Sequence, residues 1–155
     1  MPFNKYSKIN GNYFPPGDKS ISHRILILAG QAIGKSEILN LLEGEDVINT
    51  LKAMSLLGVK FKKKGEKYFV FGLPPGSLFE PKSTIDVGNS GTGIRLLLGL
   101  ISSNNIKVSL IGDKSLNKRP MKRVTEHLSK IGATFKMRKD TYPPISIKGV
   151  GNAVP

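Results

Sequence analysis

Cysteine and tryptophan are absent from this chain of 155 residues, and only two histidines are present. Without cysteine there is no disulfide and no thiolate metal site, which fits a reducing compartment such as the cytoplasm. The two histidines do not stand at metal-ligand spacing with acidic residues, so we expect no metal site. No apolar run approaches the roughly 18 residues that cross a bilayer, and the first 12 residues lack the apolar core of a secretory signal. With 39% hydrophobic residues, we expect a soluble cytoplasmic chain with a real core.

Acidic residues are also scarce, because 11 Asp and Glu face 24 Lys and Arg, for a net charge of +13. Such a balance favours polyanions or small anions with several charges, although it also serves solubility. The run Lys62-Lys63-Lys64 is typical of a solvated hairpin tip. A small basic nucleic-acid-binding module is one alternative. Aromatic residues make up only 7% and no basic–aromatic RNA motif appears, so the sequence disfavours it.

Two glycine-containing loops run directly into apolar helical patterns, at residues 17–24 and 88–95. We call these the first and the second loop–helix segment. A helix start presents free backbone N–H groups and a partial positive charge, and therefore attracts anions. Ser20 and Arg24 share a helix face at i, i+4, and Gly91 and Arg95 repeat that spacing. Two such segments predict a site for a ligand with more than one anionic group.

The chain also contains an internal repeat. The stretch 57–62, LGVKFK, recurs as IGATFK at 131–136, and a repeat of this length indicates one supersecondary unit used twice. Apolar spacing and turn residues predict helices at 20–33, 45–57, 91–102 and 120–131. They predict strands at 36–41, 59–63, 68–71, 84–87, 107–111, 134–137 and 145–148. The first helix is apolar on nearly all sides and is expected to be buried, with Gly34 just past its end. Pro120 is expected in the first turn of the fourth helix. The resulting pattern is βαβαββ, once in part and once in full.

Three motifs in order along the chain resemble the N-terminal part of the 5-enolpyruvylshikimate-3-phosphate synthase (EPSP synthase) family. They are Lys19-Ser20-x-Ser22-x-Arg24, Gly88-Asn89-Ser90-Gly91-Thr92-x-x-Arg95 and Lys118-Arg119-Pro120-Met121. The resemblance implies an α/β (α+β) fold of repeated βαβαββ units, forming part of one domain of the two-domain enolpyruvyl transferase fold. Residues 1–16 would lead from the hinge or the other domain, and residues 17–155 would form about two units of a single domain. On this interpretation the C-terminal part of the enzyme is missing.

The same resemblance implies transfer of the enolpyruvyl group of phosphoenolpyruvate to the 5-hydroxyl of shikimate-3-phosphate, a step of the shikimate pathway towards chorismate and the aromatic amino acids. Lys19, Gly91 and Arg119 would contact phosphoenolpyruvate, with Lys19 as the catalytic residue. Ser20, Arg24 and Thr92 would hold shikimate-3-phosphate. No cofactor, metal, membrane or specific nucleic acid is implied, and the full-length enzyme is expected to be a monomer. Inhibition by glyphosate is implied through the space at Gly91.

The family's catalytic carboxylates lie in the part that this chain lacks, so the 155 residues alone are expected to be inactive. The related UDP-N-acetylglucosamine enolpyruvyl transferase is the nearest enzyme alternative, and the first motif argues against it.

Each site residue also has an ordinary structural interpretation. Lys19 alone would be a loop lysine, Ser20 an N-cap, Arg24 a partner in a surface ion pair and the second glycine loop a simple turn. Arg95 and Asp46 are expected to be structural. The stretch 30–36, GQAIGKS, approaches a phosphate-binding P-loop, but it is one residue short and follows a helix instead of a strand, so nucleotide binding there is not expected.

Overall fold

Two structural units follow each other along residues 10–151, the part of the chain that the computed structural model describes. The first unit comprises α1 (Lys19–Gln31), β1 (Gly34–Ile38), α2 (Glu45–Leu56), β2 (Lys60–Lys64) and β3 (Lys67–Gly72). The second comprises β4 (Ile85–Asp86), α3 (Gly91–Ser102), β5 (Lys107–Ile111), a short 3-10 turn (Leu116–Lys118), α4 (Lys122–Lys130), β6 (Thr134–Arg138) and β7 (Tyr142–Lys148). The predicted repeat is confirmed in both its partial and its complete copy.

Each unit contributes one sheet. The first sheet has the order β1-β3-β2 and is antiparallel throughout. The second has the order β4-β5-β7-β6, in which β4 is parallel to β5 and the other pairs are antiparallel. Strands β1, β3 and β2 therefore correspond to β5, β7 and β6. Within the described residues, β4 has no counterpart in the first unit.

The two units close in the same way, by a hydrogen bond from the end of the last strand to the end of the first helix. The amide of Leu73, just after β3, donates to the carbonyl of Gly30 at 2.9 Å. The amide of Val150, just after β7, donates to the carbonyl of Ser102, also at 2.9 Å. Each sheet is thereby tied to the C-terminal end of its own helix.

Glycine is required at both closures because the backbones approach closely. A Cβ atom added to Gly72 would lie 2.0 Å from the carbonyl oxygen of Ala32, and one added to Gly149 would lie 2.0 Å from that of Ile101. Both distances are well inside van der Waals contact, and both obstacles are backbone atoms. The repeat is thus present in the packing as well as in the order of elements.

The helices between the sheets form the core, and α3 lies at its centre. Four apolar α3 side chains are fully buried: Ile94, Leu97, Leu98 and Ile101. The prediction of a buried helix is wrong for one face of α1, where Ile21 and Leu28 are 66% and 62% exposed. An apolar helix face can be buried only if another element packs against it. Within the described residues, no element packs against this face of α1.

Two expected helix boundaries also shift. Helix α1 ends at Gln31 with Ala32 as its C-cap, and Gly34, at φ +102°, is the first residue of β1. Helix α4 begins at Lys122, so Pro120 lies outside it. Met121 is its N-cap, and the Met121 amide donates to the carbonyl of Thr141 at 2.8 Å.

The expected domain boundaries stay predictions. Residues 1–9 of the proposed N-terminal segment and residues 152–155 at the other end lie outside the described residues. Residues 10–16 precede α1 without forming a helix or strand.

Candidate functional site

The first loop–helix segment forms the start of α1 and is open to solvent. Asp18 is the N-cap and its carboxylate accepts from the amide of Ile21 at 2.7 Å, so the alternative of Ser20 as N-cap is wrong. The Lys19 ammonium lies 3.3 Å from the Asp46 carboxylate, and the Lys19 side chain stays 55% exposed. Arg24 is exposed and donates to the Ser20 carbonyl at 3.0 Å. This segment therefore presents cationic groups that solvent and ligands can reach.

The second loop–helix segment repeats this local geometry at the start of α3. Ser90 is the N-cap, and its hydroxyl accepts from the amide of Gly93 at 3.0 Å. Arg95 donates to the Gly91 carbonyl at 2.7 Å, the same i to i−4 bond that Arg24 makes. Gly91 is buried, while Thr92 and Arg95 are half-buried.

Arg119 lies against this second segment and is held there by a chain of hydrogen bonds. Its Nη2 donates to Asn89 Oδ1 at 2.5 Å, and Asn89 Nδ2 donates to Asp113 Oδ2 at 2.6 Å. Hydrogen bonds from the Leu116 amide and then from Asn89 lower the pKa of the Asp113 carboxyl. An ionised Asp113 thus fixes Asn89, which fixes the guanidinium of Arg119.

Sequence reasoning missed this function of Asn89 and Asp113. These hydrogen bonds join residues 24 and 30 positions apart, so no local spacing could reveal them. The available signal was weak: an asparagine in the glycine loop and an aspartate just after a strand.

Gly91 leaves the space that the Arg119 guanidinium fills. A Cβ atom added to Gly91 would lie 2.7 Å from Arg119 Nη1 and 3.1 Å from Arg95 Nη1. The open side of Gly91 thus faces two cationic side chains, and the expected contact of Gly91 with phosphoenolpyruvate stays a prediction. Any larger residue would displace the end of the Arg119 side chain.

The first turn of α2 links the two loop–helix segments. Asp46 pairs with Lys19 of the first. A Cβ atom added to Gly88 of the second would lie 2.6 Å from Asn49 Nδ2 and 3.9 Å from Glu45 Oε1. The helix starts of α1, α2 and α3 are therefore neighbours. Asp46 has the structural function that the sequence predicted.

A buried polar cluster lies beneath these helix starts. His23 is fully buried and its Nδ1 lies 2.8 Å from the hydroxyl of Thr50, which also donates to the Asp46 carbonyl at 3.3 Å. Burial lowers the pKa of His23, more than the Asp46 charge raises it. His23 is thus a neutral packing residue that joins α1 to α2.

The predicted site residues fall into three contact groups. Gly91 contacts Arg119, Ser20 contacts Arg24, and Lys19 contacts Asp46. Thr92 lies in the first turn of α3. Lys19 and Ser20 are adjacent in α1, and α2 contacts both the Lys19 side chain and the loop at Gly88. Which ligand each residue binds stays a prediction.

Residues 10–151 were expected to contain no metal site, no membrane-spanning helix and no nucleotide-binding loop, and the structure describes each of these features. No group of three or more His, Asp or Glu side chains in this range could hold a metal ion. None of the helices in the same range is long and apolar enough to span a bilayer. The P-loop-like stretch runs from the end of α1 into β1, the reverse of the strand–loop–helix order that nucleotide binding needs.

Known proteins resemble this chain over nearly its full length. Residues 3–154 match the family model described as EPSP synthase (3-phosphoshikimate 1-carboxyvinyltransferase). A 3-phosphoshikimate 1-carboxyvinyltransferase from Ruegeria sp. is 45% identical over an alignment of 156 positions, which covers all of this chain and 35% of the relative. One from Brucella canis is 43% identical over 147 residues, 95% of this chain and 33% of the relative.

A solved EPSP synthase from Acinetobacter baumannii superimposes with a TM-score of 0.85 at 38% identity, over 90% of this chain and 32% of that one. The chain spans about a third of the length of these relatives.

Proposed function

Since the chain belongs to the EPSP synthase family, we propose that the protein transfers the enolpyruvyl group of phosphoenolpyruvate to the 5-hydroxyl of shikimate-3-phosphate, with release of phosphate. The chain spans about a third of the length of each of these relatives. We therefore assign the activity to the complete enzyme. The residues described here supply part of its binding surface.

The observation that carries this proposal is the position of Arg119 beside Gly91 at the start of α3. Arg119 is oriented by Asn89, and the absence of a side chain at Gly91 leaves room for it. A guanidinium can make two parallel N–H···O bonds to one phosphate, and the free amides of a helix start add further donors. We assign the phosphate of phosphoenolpyruvate to this position, with Lys19 as a second cationic contact across the α2 start.

Shikimate-3-phosphate is assigned to Ser20, Arg24 and Thr92. Arg24 is exposed, and among residues 10–151 its guanidinium donates to the Ser20 carbonyl alone, so we infer that it retains donors for a second anionic group. Thr92 lies on the first turn of α3, where a hydroxyl can reach a ligand placed between α1 and α3. Two phosphates would thus occupy two helix starts.

Proton transfer requires groups from elsewhere in the enzyme. Four acids around the site already accept structural bonds: Asp18 from Ile21, Asp46 from Lys19, Asp86 from Gly88 and Asp113 from Leu116 and Asn89. A general acid or base needs to reach the reacting atom with its proton available. Lys19 would contribute charge beside phosphoenolpyruvate, and the 155 residues alone should bind ligand without turnover.

An amide-shift NMR titration of the 155-residue chain tests the binding surface. Shikimate-3-phosphate should shift the amides of Ser20, Arg24 and Thr92, and phosphoenolpyruvate should shift those around Gly91. An Arg119→Gln variant should lose the second set of shifts, whereas Arg123→Gln, an exposed arginine on α4, should keep both.

A well-folded spectrum without shifts at these residues would reject the assigned binding surface. Turnover by the 155 residues alone would reject the assignment of proton transfer to other parts of the enzyme.

Three further properties are proposed with the same function. Glyphosate, a compact anionic analogue of phosphoenolpyruvate, should bind beside Gly91, and Gly91→Ala should weaken its inhibition of the complete enzyme by displacing Arg119. Unchanged inhibition would contradict that placement.

The complete enzyme should be cytoplasmic and monomeric. Light scattering of the purified protein at several concentrations measures the oligomeric state.

A further inference from the structure

The outer face of the first sheet combines aromatic and cationic side chains. Strand β3 alternates between the two sides of the sheet: Tyr68 and Val70 are buried against the helices. Phe69 and Phe71 therefore point to the opposite, outer side, where Phe71 is 39% exposed. Two aromatic rings thus lie along the central strand of a three-stranded sheet, away from the core.

Lysines surround these rings on the same face. In the strand register, Phe71 lies between Lys60 of β2 and Lys35 of β1, and Phe69 is next to Lys62. Lys64 and Lys67 form the next pair along the face. The outer positions of the three strands therefore carry five lysines: Lys35, Lys60, Lys62, Lys64 and Lys67.

One carboxylate, Glu37, occupies an outer position on these strands and pairs with Lys67 at 2.6 Å. The ammonium of Lys35 lies 4.4 Å from the centre of the Phe69 ring. Phe71 is therefore the ring that is free to receive a flat ligand. Lys60 lies directly opposite Phe71 in the register, and Lys62 follows at the next outer position of β2.

The second sheet provides an internal contrast. In its register, Thr134 pairs with Lys148 and Lys136 with Ser146, as Lys60 pairs with Phe71 and Lys62 with Phe69. Ser146 and Lys148 thus occupy the positions of Phe69 and Phe71. The second sheet is also basic, through Lys107, Lys136 and Lys148, but it has no aromatic ring at these central positions. Charge occurs on both faces. The second sheet has an outer ring only at the start of β7, where the Arg138 guanidinium lies 5.3 Å from the centre of the Tyr142 ring.

We propose that the outer face of the first sheet binds single-stranded nucleic acid without sequence preference. Bases can stack on exposed aromatic rings, because every base has a flat π-face, while lysines contact the phosphates that connect the bases. The spacing of the outward-facing residues fits the spacing of bases along a strand of nucleic acid. Consecutive outer positions on one β-strand are about 7 Å apart, which is about the length of one extended nucleotide. This interleaving arises across strands, so it cannot be seen as a motif along the chain.

Fluorescence anisotropy with a labelled oligothymidylate of about 12 nucleotides, within the range that one small platform covers, tests the proposal on the full 155-residue chain. Replacing Phe71 by Ser or by Leu should weaken binding about tenfold, the effect of losing one stacked base. The Phe71→Leu variant keeps apolar packing on the sheet, and circular dichroism verifies that both variants fold. Since neither change removes charge, the dependence of affinity on salt should stay the same.

Charge is tested with matched pairs on the two sheets. Lys60→Gln with Lys62→Gln should reduce the slope of log affinity against log salt by about 1.4, because each neutralised single-strand phosphate contributes about 0.7. The double variant Lys107→Gln with Lys136→Gln removes the same charge from the second sheet. Its slope should stay within about 0.3 of the slope of the unmodified chain.

Three results would overturn the proposal: no binding at physiological salt, equal losses from both lysine pairs, or unchanged affinity in both Phe71 variants. The last two would show attraction to the net charge of the whole chain and no specific contribution from this face.

Discussion

The two loop–helix segments share a backbone design but differ in how their cationic groups are held. In both, an N-cap side chain accepts from the amide three residues on, and an arginine donates to the carbonyl four residues back. In the first, Lys19 and Arg24 are exposed. In the second, Gly91 is buried and Arg119 is fixed by Asn89. The two segments thus share their backbone geometry but differ in the exposure and the anchoring of their cationic side chains.

This difference indicates two modes of anion binding. A donor that is already oriented loses little conformational entropy when a ligand arrives, whereas an exposed, rotamer-rich side chain must be ordered at that moment. We therefore expect single substitutions to weaken phosphate binding more at the second segment than at the first. The four predictions below test the shared backbone first and then the differing sites.

The largest effect should come from the shared closures. Gly72→Ala and Gly149→Ala should each lower the free energy of unfolding by about 3 kcal/mol, because the new methyl group would overlap a backbone carbonyl that cannot move freely. Urea denaturation measures both. Gly99→Ala is the matched control, because nothing lies within 4 Å of its added Cβ and alanine favours a helix interior. A loss at only one of the two closures would contradict their equivalence.

Arginine removal should separate the two segments. Arg119→Ala should weaken phosphoenolpyruvate binding about 10- to 100-fold, the usual effect of losing a hydrogen bond to a charged group. Arg24→Ala should leave that affinity nearly unchanged and weaken shikimate-3-phosphate binding instead. Isothermal titration of each ligand into each variant gives the comparison. If both variants lose both ligands equally, the assignment of one ligand to each segment is wrong.

Removing only the support of Arg119 should have a smaller effect. Asn89→Ala keeps the charge of the guanidinium but frees its rotamers, so phosphoenolpyruvate affinity should fall about fivefold, the cost of ordering one long side chain when the ligand binds. The affinity for shikimate-3-phosphate should not change. Asn105→Ala, at an exposed asparagine, is the control. An unchanged affinity in Asn89→Ala would mean that Arg119 is oriented by other contacts.

The smallest effect concerns pH and the buried cluster that joins α1 to α2. Burial lowers the pKa of His23 below its ordinary value of 6.5, so the unfolded chain takes up a proton at a pH where the folded chain does not. The free energy of unfolding should therefore fall as the pH drops from about 6.5 towards the lowered pKa, and urea denaturation across this range measures it.

His23→Gln should remove this part of the pH dependence, whereas replacing the exposed His127 by Gln should keep it. An identical pH profile in His23→Gln would show that other groups cause the decline.

The repeat and most elements could be predicted from the sequence because they depend on local information. Glycines mark turns, apolar spacing marks helices, and the recurring LGVKFK-type stretch marks the second copy. The exposed face of α1 could not be predicted, since Ile21, Ile25 and Leu28 look the same in sequence whether or not something covers them. Contacts across strands and loops were also missed, because Asn89 with Arg119 and Lys60 with Phe71 depend on register and loop path.

For the site, the family resemblance implied that Gly91 and Arg119 contact the same ligand, but the sequence did not indicate what orients their side chains. The structure has these two residues side by side. The functions of Asn89 and Asp113 emerge only from the folded geometry. Ligand identity at each residue stays a prediction.

The bonds that tie each last strand to its own first helix also bear on how the protein opens. Because Leu73 bonds within the first unit and Val150 within the second, each unit can act as a separate cooperative unit in hydrogen exchange. We expect these two amides to exchange slowly, each together with the strands of its own sheet. The exposed connection around Pro75, where Gly76 has a φ of +80°, lies between the two closures. Residues inserted there should leave both closures intact, so the loop at Gly76 is the position where the chain should tolerate a longer connection.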